Sequence, residues 1–413
     1  MKRILFAIVL LLSSAALCFA GERDGYTLEE MVVLSRHNIR SPLSGGGSVL
    51  SRITPCEWFE WTSAPGELSL KGAVLETQMG QYFSSWAESE GLFGRNAVPL
   101  DEEVLFYANS LQRTIATAQY FSSGMFPLAN VRIRHDKTIG VMDPIFNPQI
   151  TCADERFLSE AYSQIEAFGG EKGLRGIGEK MAPNYAVLEK VLRMSKSPAA
   201  ANDTVRVPLH DTSVKLTPGK EPSMSGGFKM ATSAADALVL QYYEEPSLRA
   251  ASFGRKISRA QWEAIVEIKD RYVDVLFTAP AVARNVAQPL LAQILSELRA
   301  SGRKFSFLCG HDSNVASVLA ALGCKEYLLP DALEKKTPIG CKLVFAKYLG
   351  KDGREYAEVL LVYASDTQFR QSCCFDGKNA PARYSLSFEG LSPNEDGLYL
   401  WSDLEARFEE VID

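Results

Sequence analysis

A chain of 413 residues that is 46% hydrophobic and 23% charged is globular rather than disordered, with length for one large domain or two ordinary ones. Its formal net charge of -6 argues against nucleic acid as the main partner, because a phosphate backbone needs a basic face. Any anion bound here must be met by a local cluster, and four histidines at no metal-ligand spacing, with no C-x-x-C pair, predict no metal site.

Met1-Lys2-Arg3, an apolar run from Ile4 to Leu12 and small residues up to Ala20 predict a secretory signal peptide over residues 1–20, hence a periplasmic protein. The run falls short of the ~20 residues that span a bilayer, so a membrane anchor is the weaker reading. A lipid on Cys18 is also weaker, because the bulky Leu17 precedes it. Beyond the signal lie Cys56, Cys152, Cys309, Cys324, Cys341, Cys373 and Cys374. An odd number leaves at least one without an intrachain partner, and an oxidising compartment permits disulfides without assigning them.

A β-like run, Glu30-Met31-Val32-Val33, leads into LSRHNIRSPL at 34–43. Alone, this string also suits a solvated basic turn in which Pro42 ends the strand. Leu75, Met79, Tyr82, Phe83 and Trp86 then mark one face of a helix that begins near Lys71, a stripe better read as core than as a binding surface. Glu103 to Ala108 reads as a short buried strand, followed by a helix with Ser110 as N-cap and Arg113 in its first turn.

From Asp143 to Arg259 the texture changes. Pro144, Pro148, Pro183, Pro198, Pro208, Pro218 and Pro222 interrupt mostly helical or irregular sequence, with one possible strand from Thr204 to Leu209. Helices are predicted over Arg259 to Leu276 and Val282 to Ala300, then a strand over Lys304 to Cys309, a turn through Gly310-His311-Asp312-Ser313-Asn314 and a helix from Val315 to Gly323. Two strands thus end in histidine-bearing loops, at His37 and at His311, and the carboxyl ends of strands are where open α/β sheets bind ligands. His135 and His210 lie outside this pattern.

Arg36-His37-Asn38-Ile39-Arg40-Ser41-Pro42 together with Gly310-His311-Asp312-Ser313-Asn314 resembles the histidine acid phosphatases, and more closely their periplasmic glucose-1-phosphatase branch. YANSLQRTIATAQ (107–119), MDPIFNPQIT (142–151), LQYYE (240–244), ARNVAQPL (283–290), GHDSNVASVL (310–319) and TPIG (337–340) look like stretches of that branch, so the resemblance covers nearly all of the mature chain. It implies a histidine-phosphatase-like α/β domain, residues 21–142 and 260–413, with an inserted, mainly α-helical domain at 143–259. The cleft between them would hold the site, with phosphate on the α/β side. No cofactor or metal is implied; the partner expected is a small phosphomonoester, and the sequence leaves the oligomeric state open.

The chemistry agrees with the resemblance. Arg36, Arg40 and Arg113 can each offer a planar fork of N–H donors to the equatorial oxygens of a phosphoryl group. His37, held between two of them, suits in-line attack on phosphorus, and nearby guanidinium charge favours the neutral imidazole that attack needs. Asp312 is expected to donate a proton to the leaving alkoxide, staying protonated beside a bound phosphate, and to activate water in the second step. The family places His311 as a phosphate ligand, and its glutamate after Tyr-Tyr, which contacts substrate, maps onto Glu244.

Most of the wider family has glycine where this chain has Asn38; asparagine tolerates unusual backbone angles, so the loop is expected to keep its shape. Disulfides do not carry over from relatives, because Cys373-Cys374 replaces a pair expected there. The expected activity is acid hydrolysis of sugar phosphates, above all glucose-1-phosphate, through a phosphohistidine. The alternatives are a phytase and, more distantly, a non-catalytic periplasmic sugar-binding protein, which needs no nucleophile, acid and three arginines together. A phosphoglycerate mutase of the same superfamily is disfavoured by export.

Overall fold

From Glu30 onward every residue of the strand Tyr26–Arg36 (β1) is buried on both faces, as befits a strand in the middle of a sheet covered on both sides. The computed structural model describes residues 24–43, 48–200 and 205–412. The predicted signal segment, 1–20, and Thr204 lie outside them. The remaining strands are β2 (Val104–Ala108), β3 (Ile133–Arg134), β4 (Ser213–Lys215), β5 (Ser223–Ser225), β6 (Phe305–Gly310), β7 (Lys342–Gly350), β8 (Glu355–Tyr363), β9 (Ala382–Ser385) and β10 (Tyr399–Leu400). The main sheet runs β10-β8-β7-β1-β6-β2-β3, with β9 also paired to β8, and β4-β5 forms a separate hairpin.

β1, β6, β2 and β3 run parallel, whereas β7 to β10 pair antiparallel. Side chains of β1 alternate between two cores. Met31 and Val33 join Leu75, Phe83, Phe121 and Phe307 on one face, while Val32 and Leu34 join Leu291, Val315, Leu319 and Phe408 on the other. On the first face the helices Leu70–Ser89 and Gln112–Met125 cross closely. A Cβ at Gly80 would sit 2.1 Å from the Phe121 carbonyl oxygen, and one at Gly124 would sit 2.0 Å from that of Thr77, so only glycine permits the crossing. The second face carries the helices Pro280–Leu298, Asp312–Ala321 and Trp401–Ile412.

The stretch 143–259 contributes no strand to the main sheet among its described residues; it holds the hairpin, the α-helices Glu155–Ala167, Gly173–Leu192, Gly227–Glu244 and Leu248–Ala251, and three short 3-10 turns. The helix Arg259–Phe277 packs on two of these, Gly173–Leu192 and Gly227–Glu244. The expectation of a strand up to Leu209 is not met by the described residues there; the hairpin falls at Ser213–Ser225 instead. Pro183 does not end its helix but sits inside it. All seven cysteines among the described residues are free thiols, and none of the described helices is long and apolar enough to cross a membrane.

Candidate active site

The parallel register ends with Arg36 opposite Gly310 and Ala108 opposite Cys309, so three strands deliver their next residues to one place. Backbone bonds fasten them: Arg36 N–H donates to Cys341 O (3.0 Å), His37 N–H to Gly310 O (3.0 Å) and Asn109 N–H to Cys309 O (2.9 Å). Gly340 N–H donates to His37 O at 3.1 Å, which fastens the TPIG stretch to the His37 loop. Gly340 has φ +70°, and a Cβ there would lie 2.7 Å from Asn38 Nδ2, so only glycine fits.

Asn38 does not adopt positive φ, so the backbone freedom expected of it is not used. Its side chain is. Nδ2 donates to Glu76 Oε2 (2.7 Å) and Oδ1 accepts from Ile39 N–H (2.8 Å). Glu76 in turn pairs with Lys342 at 2.6 Å, both side chains fully buried.

His37 Nδ1 lies 2.9 Å from its neighbour's carbonyl, Asn38 O. A carbonyl only accepts, so the proton is assigned to Nδ1 and the Nε2 lone pair is free. Burial, then Arg113, Arg40, His311 and Arg36, hold the imidazole well below its ordinary value, hence neutral. The rings of His37 and His311 meet edge to face, centroids 5.5 Å apart. Asn109 Nδ2 donates to His311 Nε2 at 2.7 Å, which assigns the His311 proton to Nδ1. Burial and Arg113 bring His311 down to about 3.

Arg36 reaches Asp312 at 3.2 Å and Glu334 at 2.9 Å and also donates to Thr337 O. Arg40 pairs with Asp236 at 3.1 Å. Lys269 joins the two halves, 3.0 Å from Asp236 and 3.2 Å from Glu334. Three cations thus face three carboxylates. Arg113 has no carboxylate within ion-pair distance among the described residues; burial and Arg40 lower it to about 10, so it remains a cation. It supplies the unbalanced positive charge. Arg36, Arg40 and Arg113 each keep a buried Nε without a hydrogen-bond partner.

Asp312 opens the helix Asp312–Ala321, and its side chain is 32% exposed. Burial raises its carboxyl, but Arg36 and Lys269 outweigh that and hold it below the usual carboxylate range. The expectation that Asp312 is protonated therefore applies only once phosphate shares the guanidinium charge.

Glu244 does not join this cluster. It ends the helix Gly227–Glu244, accepts from Ser69 Oγ at 2.8 Å and faces Lys71; burial raises its carboxyl against both. A further acidic residue is Glu221, exposed just before β5, whose carboxyl is raised and has Lys229, Asp312 and Arg113 as its charged neighbours. Ser110 is not the N-cap either; Leu111 holds that position, and Ser110 Oγ accepts from Lys137 N–H at 3.0 Å. Sequence reasoning also missed Asp236, Lys269 and Glu334. Lys269 was findable, because it falls on the apolar stripe of its helix with Trp262, Ile265 and Val266, where a lone charge needs a buried partner.

A neutral histidine among three arginines, at the carboxyl ends of parallel strands, is an arrangement that suits a phosphoryl group on an α/β sheet. The family model of the histidine phosphatase superfamily (branch 2) matches residues 27–169. Over 406 residues the chain is 36% identical to a glucose-1-phosphatase of Salmonella typhimurium, covering 96% of each. It is 35% identical over 393 residues to a glucose-1-phosphatase of Providencia rettgeri, covering 94% of this chain and 92% of that one. The phytase from Citrobacter braakii shares the fold, with TM-score 0.85 at 24% identity over 94% of this chain and 98% of that one. The chain belongs to the histidine phosphatase superfamily, as a histidine acid phosphatase.

Proposed function

We propose that this enzyme hydrolyses sugar phosphates, glucose-1-phosphate above all, in two steps through a phosphohistidine on His37. The observation that carries the reading is the bond from His37 Nδ1–H to Asn38 O, 2.9 Å long, which leaves Nε2 as a nucleophile among Arg36, Arg40 and Arg113. Nε2 attacks phosphorus as the ester oxygen departs in line, and the arginines take up the charge of the transferring group.

The departing alkoxide needs a proton, and Asp312 is the acid in reach. A phosphate monoester has its second pKa near ~6, so in mild acid much of the substrate arrives carrying a proton. Bound phosphate also shares the charge of Arg36, which lifts Asp312 toward protonation. Asp312 hands that proton to the leaving oxygen, then takes one from the water that cleaves the phosphohistidine.

The phosphate is assigned to the sheet and the leaving group to the stretch 143–259, where Glu221 has Asp312 and Arg113 among its charged neighbours. A carboxylate there accepts hydrogen bonds from sugar hydroxyls and repels a second phosphate, which favours a sugar monophosphate over phytate. The glucose-1-phosphatases named above support the same substrate. Periplasmic location rests on the pattern of residues 1–20.

Acid-quenched enzyme is expected to lose phosphate, and base-quenched enzyme to retain it, after mixing with labelled glucose-1-phosphate. His37→Ala should retain none and turn over no substrate while remaining folded. Full activity in that variant would sink the mechanism.

A further inference from the structure

We propose that Lys269 is a positioning residue for the reaction: it locks Asp236 and Glu334, the carboxylates that aim Arg40 and Arg36 at the phosphate, and its charge tunes Asp312. The inference rests on the reading of Asp312 as the general acid. Lys269 comes from the helix Arg259–Phe277, Asp236 from the helix Gly227–Glu244 and Glu334 from the loop before β7, so three separate elements converge on one ammonium group. Its contacts are 3.0 Å to Asp236 and 3.2 Å to Glu334, and the ammonium touches neither His37 nor Asp312 as an ion pair.

The geometry explains why a lysine is needed there. Against their burial, Asp236 is held ionised by Lys269, Arg40 and Arg36, and Glu334 by Lys269 and Arg36. Without the ammonium, the two buried carboxylates would be left with Arg36, Arg40 and, on Glu334, the Ile339 N–H at 3.0 Å. Those guanidinium groups would turn toward the carboxylates and away from the phosphate.

The effect on Asp312 has a definite sign. The charged and titratable groups that face Asp312 are Arg36, Lys269, Arg113, Asp236, Glu221, His311 and Cys341. Lys269 favours its ionised form, whereas Asp236 disfavours it. Deleting the two charges must therefore move the proton affinity of Asp312 in opposite directions.

The test is the alkaline limb of kcat for glucose-1-phosphate in Lys269→Gln, Lys269→Arg and Asp236→Asn, with p-nitrophenyl phosphate as a substrate whose leaving group needs no acid. Lys269→Gln should move the limb up by roughly 0.5 to 1.5 pH units and Asp236→Asn should move it down, as expected of unit charges several ångströms away at an effective dielectric near ~20. Lys269→Arg should leave it in place. Limbs that stay put, or that move together, would overturn the inference. If Lys269→Gln does not fold, the downward shift in the isosteric Asp236→Asn carries the test alone. A burst of p-nitrophenolate slowed in Asp312→Asn as much as the release of glucose would instead remove the acid role on which the inference stands.

Discussion

Arg36 binds Asp312 through one guanidinium nitrogen, at 3.2 Å, while the other binds Glu334 at 2.9 Å. One arginine is thus shared between the phosphate site, the proposed acid and the buried network. Any anion that takes charge from Arg36 weakens its hold on Asp312, so phosphate binding and protonation of the acid are coupled. If Asp312 is the acid, this coupling predicts that catalysis favours mild acid without Asp312 being protonated before substrate arrives.

Asp312→Asn separates substrates by leaving group. General-acid assistance is worth ~10²- to 10⁴-fold, so glucose-1-phosphate turnover should fall by about that factor. The burst of p-nitrophenolate from p-nitrophenyl phosphate should be nearly unchanged, because phenolate leaves without a proton. A burst slowed as much as sugar-phosphate hydrolysis would assign Asp312 another task.

Glu221→Gln should lower kcat/KM for glucose-1-phosphate by roughly tenfold, about what one lost charge-assisted hydrogen bond is worth. Activity on phytate should rise in the same variant, since a neutral amide no longer repels extra phosphates. Glu244→Gln should change neither, because the Glu244 carboxylate is engaged by Ser69 and Lys71. Steady-state kinetics on the two substrates checks both variants, and the reverse ranking would restore Glu244.

Glu30 gives a pH-dependent stability. It follows the bulge in the β1-β7 ladder, is 5% exposed, and one buried carboxyl oxygen has no hydrogen-bond partner. Burial pushes its carboxyl up to about 8 against the pull of Lys347 and Arg303. The unfolded chain releases this proton near ~4.3, so the stability from a neutral Glu30 is whole below that pH and drains away as pH rises through about 8. Glu30→Gln should therefore gain roughly 2–4 kcal/mol on wild type between pH 4 and pH 8. Urea unfolding at the two pH values checks it, and a constant difference would refute the assignment.

How much of this the sequence showed depends on range. The His37 and His311 motifs were legible because each is a contiguous string at a strand end, and the apolar stripe of the helix Leu70–Ser89 was legible because its spacing is helical. The β7-β8 hairpin went unpredicted although Asp352-Gly353 separates two apolar runs, a strong turn signal. Asp236, Lys269 and Glu334 were invisible as a group: they lie far apart in the chain, and only packing of the helices against the sheet brings their charges together. Glu244 was singled out because its neighbours in sequence match a motif, and the structure engages it with Ser69 rather than with the arginine cluster.

Asn38 is the departure whose role the structure makes most testable. Its side chain joins the His37 loop to the buried Glu76–Lys342 pair, and its own carbonyl accepts the Nδ1 proton of His37. Asn38→Gly would leave Glu76 with Lys342 alone, its Oε2 without the Asn38 donor, and Ile39 N–H without its side-chain acceptor, at ~1–3 kcal/mol for the unpaired buried groups and a further ~0.5–1 kcal/mol for backbone freedom. The carbonyl would then hold His37 less firmly in the attacking tautomer, so kcat should fall on p-nitrophenyl phosphate as well as on glucose-1-phosphate, with KM little changed. Asn38→Asp should be worse for stability, because it sets a second carboxylate against buried Glu76. Urea unfolding and kcat on both substrates read the two effects separately, and an Asn38→Gly enzyme with wild-type stability and kcat would show that the loop needs no support from Glu76.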